Sequence, residues 1–166
     1  FKRIVDFGCG SGYKLMQYFD SYETIGVDIE PALSFLLANY PNREWRKGDS
    51  IHPQLLDGDL VICADVLEHF TEPDYLLQAM AASTARAFVL STPALEILAD
   101  RGVSPRLGPP ANKSHVYEWS TTEFCALVSQ HLTVVAHAIV NLGQATQMCI
   151  AVRKDIKGAK LKLPHL

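Results

Sequence analysis

Three glycines at alternate positions, Gly8, Gly10 and Gly12, follow directly on the run Ile4-Val5-Asp6-Phe7. The β-branched start reads as a buried parallel strand. The glycines after it read as a tight turn, because a residue without Cβ reaches φ > 0 and lets a ligand lie against the main chain. A helix beginning near Tyr13 would then direct its first amides toward that ligand. The stretch therefore predicts a nucleotide cradle, and with it a fold in which a strand, a turn and a helix repeat.

The spacing decides which nucleotide. A dinucleotide fingerprint is Gly-x-Gly-x-x-Gly, whereas this chain has Gly-x-Gly-x-Gly preceded by Asp6. The segment resembles motif I of class I S-adenosylmethionine (SAM) dependent methyltransferases. Asp28, at the end of a second strand read over 24–27 and 16 residues beyond Gly12, is suited to accept hydrogen bonds from ribose hydroxyls. The alternative role for Asp28 is an acid at the start of the next helix, which Glu30-Pro31 opens. Lys47-Gly48-Asp49-Ser50, after a third strand over 44–47, resembles motif III of the same family, whose acid contacts the adenine amine. Asp65-Val66-Leu67-Glu68-His69-Phe70, after an apolar fourth strand over 60–64, resembles the VLEH segment of small-molecule methyltransferases. The resemblance implies a SAM site built from Asp6, Gly8, Cys9, Gly10, Gly12, Asp28, Ile29, Asp49, Ser50, Ala64 and Asp65. Asp-Pro-Pro-Tyr or Asn-Pro-Pro-Tyr, common at this point in enzymes that methylate base amines, is replaced by Ala64-Asp65-Val66-Leu67, which disfavours nucleic-acid amines.

The rest of the chain continues the alternation. Pro31 opens a helix with Leu33, Leu36, Leu37 and Tyr40 as its inward stripe, and Pro73 opens another with Leu76, Leu77 and Met80. A fifth strand covers 87–90. Ser120-Thr121-Thr122-Glu123 is a capping box ahead of a helix with Phe124, Leu127 and Val128 facing in. Strands over 134–140 and 147–152, joined by a turn through Asn141 and Gly143, close the chain as an antiparallel hairpin. The fold class is thus α/β, a Rossmann-like doubly wound sheet, mostly parallel with an antiparallel C-terminal hairpin strand.

Between Asp100 and Ser120 the composition shifts to Gly, Pro, Arg and Asn over 21 residues, too long for an ordinary connection. The run from Gly108 to Trp119 resembles a GPPxNxxHxxEW segment of methyltransferases found beside sugar- and glycan-building enzymes, with Tyr117 where many of them have Arg. The segment reads as a substrate lid, mobile without substrate, carrying Asn112 and His115 to the acceptor and returning to the core at Trp119.

A chain of 166 residues, 48% hydrophobic, supports one core and one domain. Phe1 already reads as part of the first strand, so the chain reads as a domain, 1–154, of a longer protein whose helices before strand one are missing. Residues 155–166 form a basic tail. Net charge is −3, and from Arg153 to Leu166 there are five basic residues and one acid, which leaves the body at −7. An acidic body does not track phosphate backbones, so no nucleic-acid partner is expected. The apolar runs are all shorter than the ~20 residues of a membrane span. Cys9, Cys63, Cys125 and Cys149 are scattered without a Cys-x-x-Cys pair, as reduced thiols of a cytoplasmic protein would be.

Methyl transfer from a sulfonium is an in-line displacement that needs positioning and, for a hydroxyl acceptor, a base. His131 and His137 fall in a helix end and a strand and read as structural; His52 and His165 sit in a turn and the tail. His69 and His115 remain, each on a loop at the C-terminal edge of the parallel strands, where open α/β sheets bind ligands. They are the candidate bases. No grouping of His, Asp and Glu has the sequence spacing of a zinc site, and no metal is expected. The expectation is a SAM-dependent methyltransferase acting on a small-molecule or sugar hydroxyl. The rivals are a degenerate SAM-binding module of a larger protein and a nicotinamide-dependent oxidoreductase.

Overall fold

The computed structural model describes residues 1–49 and 51–156, so Ser50, His165 and the tail beyond Ile156 lie outside the described residues. Seven strands form one sheet in the order β3-β2-β1-β4-β5-β7-β6. They are β1 (Arg3–Phe7), β2 (Glu23–Asp28), β3 (Glu44–Lys47), β4 (Leu60–Ala64), β5 (Ala87–Pro93), β6 (Leu132–Asn141) and β7 (Thr146–Arg153). The first five pair in parallel, while β7 runs antiparallel to both β5 and β6. Strand order reverses between β1 and β4, and the crevice at such a switch point is where open α/β sheets take ligands.

The helices are α1 (Tyr13–Tyr18), α2 (Ala32–Asn39), α3 (Pro73–Ala82), α4 (Leu95–Asp100) and α5 (Thr121–His131). Strand alternation sends Val5 and Phe7 of β1 into the larger core cluster, with Leu76, Leu77 and Met80 of α3 and Phe124 and Val128 of α5. Ile4 goes to the opposite face with Leu15 of α1 and Ile62 of β4. Each such large apolar side chain, fully withdrawn from water, contributes about 1.5–3 kcal/mol. Ser120 caps α5 by accepting from the Glu123 amide while Glu123 returns to the Ser120 amide, the reciprocal box expected from sequence.

Three expectations need correction, and one helix is new. Leu37 is 51% exposed, because α2 buries only Leu33 and Leu36. Phe1 lies outside β1 and is exposed. β5 runs on through Pro93, since its antiparallel partner β7 supplies a ladder up to the Pro93–Thr146 pair. α4 was not anticipated; it is short, buries no residue fully and has no side-chain cap to mark its start. All four cysteines are free thiols, and no helix among the described residues is long and apolar enough to cross a membrane.

Candidate active site

The glycine turn is pinned to the end of β2: the Gly8 and Cys9 amides both donate to the Val27 carbonyl, at 2.8 and 3.2 Å. Gly8 has φ +77°, and a Cβ there would stand 2.2 Å from Val66 Cγ2, so only glycine lets the turn pass under the segment after β4. Gly10, at φ +55°, has nothing within 4 Å of a Cβ position; its backbone faces open space. The Asp28 carboxylate closes this turn from the other side. Its Oδ2 accepts from the Gly10 amide at 2.6 Å and its Oδ1 from the Ile29 amide at 2.8 Å. Two of about four lone-pair positions remain for a ligand.

These elements wall a cleft of about 450 Å³ lined, among others, by Gly8, Gly10, Asp28, Ile29, Asp65 and His69. That volume falls within the range of about 300–1,000 Å³ of small-molecule sites. Phe7 and Phe70, with ring centroids 6.4 Å apart, give it an apolar wall. Asp65 is a non-glycine residue with φ +57°, anchored by its amide to the Ser91 carbonyl at 3.0 Å and by Oδ1 to the Ser91 hydroxyl at 3.2 Å. Such a conformation is sparsely populated and clusters at functional sites. Ala64 ends β4 immediately before it.

Other residues expected to hold the cofactor are placed behind or beside this cleft. Cys9 is buried, its thiol pushed up to about 12 by that burial and by the nearby Asp6 and Asp28 charges. Gly12 backs onto Trp45 and Leu36. Asp49 is an exposed group paired with Lys47 at 2.8 Å, which holds its carboxyl below the usual range, and the neighbouring Gly48 lines the cleft instead.

Asp6 lies fully buried under the turn. Lys14 Nζ stands 3.3 Å from its Oδ1 at ion-pair distance, but neither carboxylate oxygen has a donor in hydrogen-bond geometry. Burial pushes its pKa up to about 6, against the pull of Lys14.

Beside the cleft, where His69 and Phe70 line it, two segments far apart in sequence meet. A single 3₁₀ turn, Leu67–His69, follows β4 and buries Glu68 completely. The long loop after α4 returns across it. Val116 and Tyr117 donate to the Glu68 carbonyl at 2.7 and 3.2 Å, and the Tyr117 hydroxyl donates to the Thr71 carbonyl at 3.1 Å. Trp119 stacks between Tyr117 and Phe124, with centroids at 5.4 and 6.0 Å, and anchors the return as expected. The second half of the predicted lid is thus tied down by its own backbone, through contacts that composition does not reveal.

These ties bring His69 and His115 edge to face, with centroids 5.0 Å apart. His69 Nδ1 lies 2.8 Å from the Ser114 carbonyl oxygen and must carry its proton toward it. His115 Nδ1 lies 3.0 Å from Glu118 Oε1, and its Nε2 lies 2.9 Å from Asn112 Nδ2. Asn112 Oδ1 accepts from the Ser114 amide and hydroxyl, which fixes the amide with Nδ2 toward the ring. Glu118 is in turn bonded by the Ser104 hydroxyl. Sequence reading singled out both histidines and Asn112 but missed Glu118, whose place three residues after His115 was the available signal. It also missed Glu68. Burial pushes that carboxyl up to about 7, with the charges of Asp65 and Glu118 adding to the effect, and both its oxygens lack an aligned partner. One ligand atom each from Glu68, His69 and His115 lie within 4.8 Å of one another.

His131 and His137 have the structural parts expected, at 2.6 Å from Asp74 and 3.0 Å from Gln147.

Compared with known protein families, residues 1–137 match the model of a methyltransferase domain. A comparison with curated protein sequences finds no match. Among solved structures, the putative methyltransferase of Haloferax volcanii, determined with a methyltransferase activator, is similar with a TM-score of 0.71 and 15% identity, over 91% of this chain and 82% of that one. A protein from Pyrococcus horikoshii OT3 gives 0.66 and 19% identity over 92% of this chain and 82% of its own. An O-methyltransferase of neocarzinostatin biosynthesis, solved with SAM and 2-hydroxy-5-methyl naphthoic acid, gives 0.68 and 17% identity over 91% and 48%.

Proposed function

The chain belongs to the methyltransferase-domain family, and from that premise we propose that it methylates a hydroxyl of a small molecule or sugar residue. The observation that carries this reading is the pairing of a nucleotide-sized cleft, with His69 on its wall, and a second oriented imidazole, His115, set edge to face against His69. The likeness in fold to the neocarzinostatin O-methyltransferase supports the choice of oxygen as acceptor.

SAM fits the residues present and, when bound, supplies an electrophilic methyl group. Asp28 offers its two remaining lone-pair positions to a ribose, on a carboxylate already oriented by the Gly10 and Ile29 amides. The open face of Gly10 lets a ligand approach the backbone, and Asp65 places a carboxylate in the wall where a cationic amino-acid end is held. Phe7, Phe70 and Val66 exclude water from the same space. His69, exposed and lining the cleft, and His115, oriented by Glu118, form the place where the acceptor gives up its proton. Asn112 is the amide that meets a hydroxylated acceptor.

The test is a melting-shift screen with SAM, S-adenosylhomocysteine and NAD, followed by a panel of hydroxyl and amine acceptors read by S-adenosylhomocysteine release. A ligand that binds only the native state at a hundredfold its Kd adds about 2.7 kcal/mol. Stabilisation by the first two and not by NAD is expected, with turnover confined to hydroxyl acceptors. A shift with NAD alone, or turnover of amines only, overturns the reading.

A further inference from the structure

We propose that Glu68, His69 and His115 form a binding site for one divalent transition-metal ion beside the cleft wall that His69 lines. Three observations converge on it. The first is proximity: the three groups come from segments 46 residues apart, yet their ligand atoms lie within 4.8 Å of one another. Atoms on opposite sides of one cation are about twice a metal–ligand bond apart, and such bonds run from about 2.0 Å for a Zn–N contact to about 2.6 Å for the longest oxygen contacts.

The second observation is the state of the imidazoles. His69 directs Nδ1 at the Ser114 carbonyl and His115 directs Nδ1 at the Glu118 carboxylate, so both rings are held with Nδ1 protonated and Nε2 carrying a lone pair. Metal-binding histidines donate their other N–H to a carbonyl or carboxylate in just this way, which fixes ring orientation and raises basicity. The Asn112 amide now resting on His115 Nε2 confirms the lone pair there, and it is exposed enough to yield to an ion.

The third is Glu68, a fully buried carboxyl with neither oxygen in an aligned hydrogen bond. With only the Thr92 hydroxyl and its own amide beside it, neither in good hydrogen-bond geometry, the buried carboxyl is costly unless something compensates it, and a cation does so. Two imidazoles with one carboxylate are a donor set for zinc, iron, cobalt or manganese rather than for magnesium or calcium, which prefer all-oxygen sites.

The ion's part in the chemistry rests on the hydroxyl-methylation reading above, though its binding does not. Held on the ion, the acceptor oxygen loses its proton to solvent more readily. Its lone pair forms the O–C bond as the donor's S–C bond breaks, and the electron pair of that bond stays on sulfur. The two imidazoles then act as ligands, and the ion replaces them as the group that lowers the hydroxyl's pKa.

The experiment strips the protein with a chelator and titrates it with Co2+ alone, in the absence of SAM and acceptor, following visible ligand-field absorption and heat of binding. One equivalent should saturate the wild type. Glu68→Gln and His69→Ala should remove the saturable signal, and Glu118→Gln, which keeps all three ligands, should weaken binding about 10- to 100-fold. Circular dichroism and SAM affinity of each variant show that it is folded; if His69→Ala is not, the near-isosteric Glu68→Gln carries the test. Absence of saturable binding in the wild type, or an unchanged isotherm in a folded Glu68→Gln or His69→Ala protein, overturns the site. SAM binding measured on the stripped protein keeps the two failures apart: SAM without cobalt removes only the metal, and cobalt without SAM removes only the methyl-transfer reading.

Discussion

Asp6→Asn should stabilise the protein at neutral and alkaline pH while flattening its pH dependence. Asp6 is fully buried with no aligned donor, and its carboxyl titrates at about 6 in the fold against 3.8 as a free side chain. The direction follows from proton counting. Between those two values the unfolded chain has released the proton and the native state still holds it, so stability falls as pH rises through that window. Below 3.8 both states are protonated and the effect is absent; above about 6 it is present in full. The interval, at ~1.36 kcal/mol per pH unit, is worth about 3 kcal/mol. Asparagine keeps the shape and lacks the charge, and the attraction of Lys14 for the carboxylate is already contained in the value of about 6. A net gain of about 2–3 kcal/mol at pH 8 is expected, read as a rise of about 1–3 M in the urea midpoint for a slope of about 1–3 kcal/mol/M. Urea unfolding at pH 4 and pH 8 of wild type and variant is the assay. Glu68 shifts in the same direction, from 4.5 to about 7, so only the difference between the two proteins isolates Asp6. Parallel pH profiles, or a variant less stable at pH 8, would refute the reasoning.

Asp28→Ala should weaken SAM binding about 10- to 100-fold by calorimetry, since it removes charge-assisted hydrogen bonds worth about 1.5–3 kcal/mol and frees the Gly10 amide; unchanged affinity takes Asp28 out of the site. Gly8→Ala should cost about 2–5 kcal/mol of stability, from a Cβ 2.2 Å from Val66 Cγ2 and a left-handed φ of +77°, and a thermal midpoint within a degree of wild type would contradict the packing described. His115→Ala should lower turnover about 10²- to 10⁴-fold with SAM affinity nearly intact, because its ring is not among the groups that line the cleft; a parallel loss of SAM affinity would make it a staple of the cleft itself.

How much of this was legible before the structure depended on the sequence range of the interactions involved. The glycine turn and the approach of Asp28 to it were readable because a strand, a turn and the end of the next strand are set by local pattern and parallel pairing, here the register Phe7–Val27. α4 was not readable, since Leu95–Asp100 is too short for a period and has no side-chain cap. Asp49 carried the motif, and its carboxylate pairs with Lys47 two residues away, a local contact that spacing alone does not reveal.

The His69–His115 pair shows why motif reading stopped at single histidines. Sequence marked His69 and His115 separately, each by its own motif, and offered them as rival bases. What joins them is main-chain chemistry: the amides of Val116 and Tyr117 on the Glu68 carbonyl, and the Ser114 carbonyl on the His69 ring. Backbone groups carry no residue identity, so no residue pattern announces that the loop docks on the turn. Once it docks, both rings have their Nδ1 protons committed and a buried carboxyl beside them, and two candidates for one role stand side by side. The disagreement between the metal-free expectation from spacing and the donor cluster in the fold has the same origin, because spacing rules describe ligands on one continuous element whereas these meet through a loop that returns 46 residues later.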